Sequence, residues 1–159
     1  MKNILSANHL WNRAKNANLK VSAEISGGFD LGFDKIIPDD TKFILRDFVG
    51  WVEENFYIPV TLWVDFEYRH YLVNRDKSRV GYQFYWSDFK SYPDFEDNNE
   101  IPTIRLPVRT ENYTVEEILF SFIEAISCYF AWLLNIIDDT YTPDEKESEE
   151  ILKLYLNSQ

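Results

Sequence analysis

Residues 118–135 read ILFSFIEAISCYFAWLLN, an apolar run carrying one ionisable carboxylate, Glu124. No other stretch narrows the fold as much, because a helix that is hydrophobic on most of its faces has to be buried. Glu124, Ser121, Ser127 and Asn135 interrupt the run, and Thr114, Glu116 and Glu117 precede it closely. Those polar groups point to a buried helix of a soluble domain rather than a membrane span. Thr114 and Glu117 have the T-x-x-E spacing of a capping box, so the long buried helix is expected over 114–137. A carboxylate held in such surroundings without a partner is costly. Glu124 therefore needs a hydrogen bond from a Tyr, Trp or Arg, a metal ion, or access to water.

A chain of 159 residues suits a single domain, 1–159, with a core large enough to hold that helix. A hydrophobic content of 45%, with 17% aromatic residues, lies far from the disordered regime. The net charge of -11 repels a phosphate backbone, which disfavours nucleic acid and favours encounter with a basic protein. Cys128 is the sole cysteine, so no internal disulfide can form, and its apolar neighbours imply a reduced, buried thiol. The N-terminal MKNILSANHLWNRAKN has no apolar stretch of secretory length. Together these features point to the cytoplasm and give no sign of a membrane.

Hydrophobic periodicity predicts the rest of the fold. SANHLWNRAKN, with Ser6 as cap, has the spacing of a short helix, and LKVSAEI alternates as a strand from Leu19 to Ile25. After Pro38, Phe43, Ile44, Phe48, Trp51, Val52 and Phe56 recur at helical spacing behind Asp39 and Asp40. IPVTLWVDFEY alternates Val60, Leu62, Val64 and Phe66 against Thr61, Trp63, Asp65 and Glu67, and reads as a strand. The NRDKS turn then suggests an antiparallel hairpin with RVGYQFYW. IPTIRLPVR reads as a short strand whose prolines confine it to a sheet edge or to strand ends. Thr142, Pro143 and Glu145 repeat the helix-start signature before ILKLYL. The order implies an α+β domain, a mainly antiparallel sheet with helices packed on one face.

On the long helix, Ser121, Glu124, Cys128, Ala131 and Asn135 fall at three-four spacing and form one stripe of small or polar residues. Glu124 and Cys128 lie one turn apart, and a carboxylate with a thiolate can both hold zinc. Two ligands do not make a zinc site, and a third would have to come from His9, His70 or a distant acid. A Cys-His catalytic pair is disfavoured by the burial expected for the thiol. SGGFDLG lacks the spacing and context of a nucleotide-binding loop.

The residues IEAISCYFAW, preceded by TLWVDF, GYQFYWSDF and IPTIRLP, resemble the active-site region of bacterial zincin-like metallopeptidases, whose motif runs H-E-x-x-H and then Tyr-Phe-x-Trp. The resemblance covers about residues 58–135 and implies a zincin-like core. The motif is lost, and it can be aligned in two ways. With Tyr129, Phe130 and Trp132 on the aromatic signature, Glu124 and Cys128 take the two histidine positions and Ala125 takes that of the catalytic glutamate. With Glu124 as that glutamate, Ile123 and Ser127 take the histidine positions and the aromatics slip by one. The first needs no offset and is preferred. Metal-assisted hydrolysis requires ligands and a base together, so neither alignment implies an ordinary peptidase.

The expectation is therefore a non-catalytic acidic protein-binding module on a degenerate zincin-like scaffold. By analogy with immunity proteins it would neutralise a basic protein such as a toxin domain. Its expected contacts are Tyr92, Asp94, Phe95, Glu96 and Asp97 in YPDFEDNNE, and Asp138 and Asp139 at the start of the acidic C-terminal run. Aromatic anchors within an acidic rim supply both affinity and fast encounter. No cofactor is expected; the competing expectation is a divergent zinc-dependent hydrolase with Glu124 and Cys128 as ligands.

Overall fold

The computed structural model describes residues 5–17, 19, 27–73, 77–86, 101–138 and 140–159. The elements run α1 (Leu10–Asn16), β1 (Phe29–Phe33), α2 (Asp39–Asn55), β2 (Leu62–Glu67), β3 (Leu72–Val73), β4 (Arg79–Val80), β5 (Gln83–Tyr85), β6 (Thr103–Pro107), α3 (Val115–Leu133) and α4 (Glu145–Asn157). Except for Leu19, the strand expected in LKVSAEI lies outside the described residues.

The architecture is α+β, but the sheet is mixed rather than mainly antiparallel. Its order is β1-β2-β6-β5, with β1–β2 and β2–β6 parallel and only β5–β6 antiparallel. Parallel neighbours need a crossover, and α2 supplies it between β1 and β2. The hairpin expected between IPVTLWVDFEY and RVGYQFYW does not form. β2 is flanked by β1 and β6, while β4 makes a separate two-stranded ladder with β3, Leu72 opposite Val80. Of the two placements open to IPTIRLPVR, a sheet edge or prolines at the strand ends, the structure has the second, in an interior strand. Pro102 precedes β6 and Pro107 ends it, so the missing N–H groups fall at the strand ends and the ladder between them is intact.

The alternation of β2 decides which side of the sheet is covered. Leu62, Val64 and Phe66 are buried, whereas Trp63 and Asp65 are exposed. The register carries the buried row across the sheet, Leu31 beside Val64 beside Ile104 beside Phe84. Both long helices pack on that face. Phe122 of α3 meets Phe29, Phe48 and Phe66, and Arg46 of α2 lies over the Phe33 ring. Phe122 is fully buried and joins the sheet to both helices.

The helix ends account for the differences from the expected boundaries. α1 is capped by His9, whose Nδ1 accepts from the Trp11 N–H, rather than by Ser6. α4 is capped by Asp144, whose carboxylate accepts from the Glu147 N–H at 2.9 Å, rather than by Thr142. α3 starts at the expected capping box, Thr114 and Glu117 each satisfying the other's backbone N–H. It stops at Leu133 rather than 137, because Asn135 takes a left-handed φ of 58°. The Asn135 N–H bonds to the Trp132 carbonyl and the Ile136 N–H to the Ala131 carbonyl, which closes the helix in a Schellman arrangement.

Tyr129, on the last turns of α3, fixes the loop that enters β2. Its hydroxyl donates to the Val60 carbonyl at 2.5 Å and accepts from the Val60 N–H at 3.1 Å. Trp11 of α1 similarly donates from Nε1 to Ser127 Oγ at 2.9 Å, and Ser127 in turn donates to the Ile123 carbonyl. Two glycines sit where a side chain has no room. A Cβ on Gly27 would lie 2.2 Å from the Ile58 carbonyl oxygen, and Gly28, at φ +88°, brings the chain against the Glu53 carboxylate that accepts from the Phe29 N–H.

Candidate functional site

The polar stripe of α3 divides into three parts. Asn135 belongs to the helix stop, and Ala131 is fully buried. Ser121, Glu124 and Cys128 remain. Ser121 and Glu124 are half-buried, and Cys128 is 8% exposed.

The Tyr82 side chain, just before β5, reaches α3 beside the Cys128 thiol and Glu124. Burial pushes the Cys128 pKa up to about 11, and the neighbouring Tyr82 hydroxyl only partly opposes this. The thiol is therefore protonated at neutral pH and a poor nucleophile. Tyr82 is itself raised, first by burial and then by the nearby Cys128 and Glu124. Tyr141 closes the same corner; burial and Cys128 raise its pKa as well.

Glu124 receives no hydrogen bond and joins no ion pair among the described residues. Among the described residues no Tyr, Trp or Arg donates to it. Half-exposure to water is the answer to its cost, and its pKa is raised, first by burial and then by Glu145 at the start of α4. The sign follows directly. The folded protein binds a proton on Glu124 at pH values where the unfolded chain has released it, so stability falls as pH rises from the ordinary carboxylate value through the raised one. Glu124→Gln breaks no hydrogen bond and removes this loss. Urea midpoints from about pH 4 to 8 should show the variant at least as stable as the parent at neutral pH, with a flatter profile. A Gln variant clearly less stable at neutral pH would mean that the carboxylate is held by a favourable contact.

Neither histidine joins Glu124 and Cys128. His9 is buried at the α1 cap, with Nε2 toward the Glu147 carbonyl at 3.4 Å. His70 lies in the bend after β2, its ring against Tyr71 and Tyr113. Among the described residues no three of His, Cys, Asp and Glu gather as a metal site. Zinc with an open position needs three protein donors. Among the described residues Glu124 and Cys128 supply two of those three donors, Cys128 as a protonated thiol. In the preferred alignment the position of the general base is Ala125, fully buried. In the other, Ile123 and Ser127 face the core, with Ser127 bonded to Trp11.

Beside the stripe lies a cleft of about 430 Å³, lined by Gly81, Pro107, Tyr113, Ile118, Phe120 and Leu152 among others. Glu116, Glu117 and Ser121 complete its α3 wall, and Glu124 stands one turn beyond Ser121. Sequence reasoning did not single out Tyr82 or Leu152, and it named Glu145 only as part of the α4 start, not as a neighbour of Glu124. Their approach to α3 depends on where β5 and α4 pack, which no local pattern encodes.

The opposite face of the sheet exposes Trp63 and Tyr85, each at 45%. There Arg105 grips Glu67 with two bonds of 2.6 and 2.9 Å and donates to Gln83 at 2.9 Å, tying β2, β6 and β5 together. Asp65 beside them has a raised pKa, first from burial and then from Glu67.

Of the surface residues expected to bind a partner, Tyr92, Asp94, Phe95, Glu96, Asp97 and Asp139 lie outside the described residues. Asp138 is exposed and accepts from the Thr140 N–H and hydroxyl, which holds its pKa below the usual carboxylate range. No helix among the described residues is long and apolar enough to cross a membrane. No protein-family model, curated protein or solved structure matches this chain.

Proposed function

We propose that this chain is a non-catalytic, acidic protein-binding domain on a zincin-like scaffold that has kept its packing and lost its chemistry. It acts in the cytoplasm as an immunity- or antitoxin-type inhibitor of a basic protein, without a cofactor. The observation that carries this reading is the state of α3. Where the resemblance calls for ligands and a base, the helix offers Glu124, a buried, protonated Cys128 beside Tyr82, and a buried Ala125. The preferred alignment gains support from the same geometry, because Glu124 and Cys128 share the side of α3 that Tyr82 approaches, while Ile123 and Ser127 are buried. The aromatic signature serves packing. Tyr129 bonds to Val60, and Phe130 and Trp132 are fully buried.

The net charge of -11 supports a basic partner, since opposite fields accelerate encounter and disfavour wrong partners. The proposed contacts include the acidic, aromatic segment with Tyr92 and Phe95, and Asp138 with Asp139. The test is coexpression with the proteins encoded beside its gene, followed by size-exclusion chromatography and elemental analysis of the same fractions. The expected result is a stoichiometric complex with a basic protein and no stoichiometric metal. About one zinc per chain, lost in Cys128→Ser, would instead support a divergent zinc-dependent hydrolase with Glu124 and Cys128 as ligands.

A further inference from the structure

Gly50 stands in the interior of α2, where a glycine weakens a helix. The fold itself does not demand it, because a Cβ at this position would meet no atom within 4 Å. Gly50 instead borders a groove of about 480 Å³ on the solvent side of α2, together with Arg46, Asp47, Glu54 and the end of α4. Matched residues flank it. Arg46 lies four residues before Gly50 and Glu54 four after it, while Phe43 lies seven before and Tyr57 seven after. Phe43 is 69% exposed and Tyr57 47%, and Tyr57 shares a neighbouring cleft with Glu54. Arg46 and Glu54 are about 12 Å apart along the helix axis, too far to pair within one chain. Neither joins an ion pair among the described residues.

We infer that the solvent face of α2 docks a second copy of this chain, the two α2 helices crossing antiparallel at Gly50 about a two-fold axis. That axis sets Arg46 of each copy level with Glu54 of the other, and Phe43 at the Tyr57 end of the other helix. The face is therefore complementary in charge to itself, as a two-fold interface requires. Charge selects this occupant. A uniformly basic surface would satisfy Glu54 and confront Arg46, and a uniformly acidic one would do the reverse. The Arg46 guanidinium sits over the Phe33 ring at 4.7 Å, which leaves its N–H fork for a carboxylate. Two other acids of this helix are engaged within their own chain, Asp47 by the Tyr155 hydroxyl at 2.6 Å and Glu53 by the Phe29 N–H at 3.0 Å. The side chains at a crossing set how closely two helices approach, and glycine permits the closest approach. One helix face per copy makes a small interface, so the dimer is reversible. The surface is distinct from the α3 stripe, and the inference does not depend on the basic partner proposed above.

The test is sedimentation equilibrium of the full chain at about 0.15 M salt, where a Debye length of about 8 Å screens the mutual repulsion of two chains of net charge -11. Expected is a reversible equilibrium between one and two copies. Arg46→Glu and Glu54→Arg should each weaken dimerisation roughly tenfold, by setting like charges against each other across the axis. Combining the two should restore it, because the exchange rebuilds both contacts. Gly50→Leu should abolish the dimer and leave the monomer's urea midpoint at or above the parent's, since a good helix former enters open space. A chain that stays monomeric up to about 1 mM would overturn the inference. So would a dimer indifferent to Gly50→Leu, or a double variant that associates no better than either single one.

Discussion

Phe122→Ala will unfold at a markedly lower denaturant concentration than the parent, with a loss of about 3–5 kcal/mol. Phe122 is fully buried on α3, and its ring touches Phe29 and Phe66 of the sheet and Phe48 of α2. Truncation removes those edge-to-face contacts and leaves a cavity where three elements meet. Aromatic neighbours on rigid elements collapse poorly into such a gap. Equilibrium urea unfolding measures the effect. A loss below about 1 kcal/mol would mean that the sheet and helices do not meet at this residue.

Tyr129→Phe is the second large effect, and it tests a different kind of interaction. The substitution keeps the ring but removes the hydroxyl that serves both the carbonyl and the N–H of Val60. Val60 is 3% exposed, so water cannot readily replace either bond. Each buried group left unpaired costs about 1–3 kcal/mol. The expected loss exceeds that of an ordinary hydrogen-bond deletion, and hydrogen exchange at the amides preceding β2 should accelerate with it. A variant as stable as the parent, with unchanged exchange, would show that the loop before β2 is held by packing alone. The expected loss also bears on the resemblance, because it gives one of the signature aromatics a role in folding that does not depend on catalysis.

The helices and β2 were legible because their signals are local. The three-four spacing of α2, the T-x-x-E start of α3 and the alternation of Leu62, Val64 and Phe66 depend only on neighbours in sequence. Strand pairing depends on distant partners, and there the reading failed. NRDKS looked like a link between two long strands, yet the chain inserts β6 between β2 and β5. The prolines of IPTIRLPVR allowed either an edge or strand ends, because a proline inside a ladder loses a bond, and it is pairing with β2 and β5 that selects the second, with Pro102 and Pro107 at the ends of an interior strand. The candidate site divides the same way. The common side of Glu124 and Cys128 follows from helical spacing, whereas the Tyr82 hydroxyl beside the thiol and the Glu145 charge arrive through tertiary packing.

If the scaffold has exchanged chemistry for binding, association should be governed by charge and indifferent to metal. The decisive measurement is stopped-flow association of the chain with its basic partner at low and high salt, in the presence of a chelator. The account predicts an undiminished rate with chelator and a rate that falls steeply as salt screens the acidic surface. A rate that is insensitive to salt, or an interaction that disappears with the chelator and returns with zinc, would contradict it.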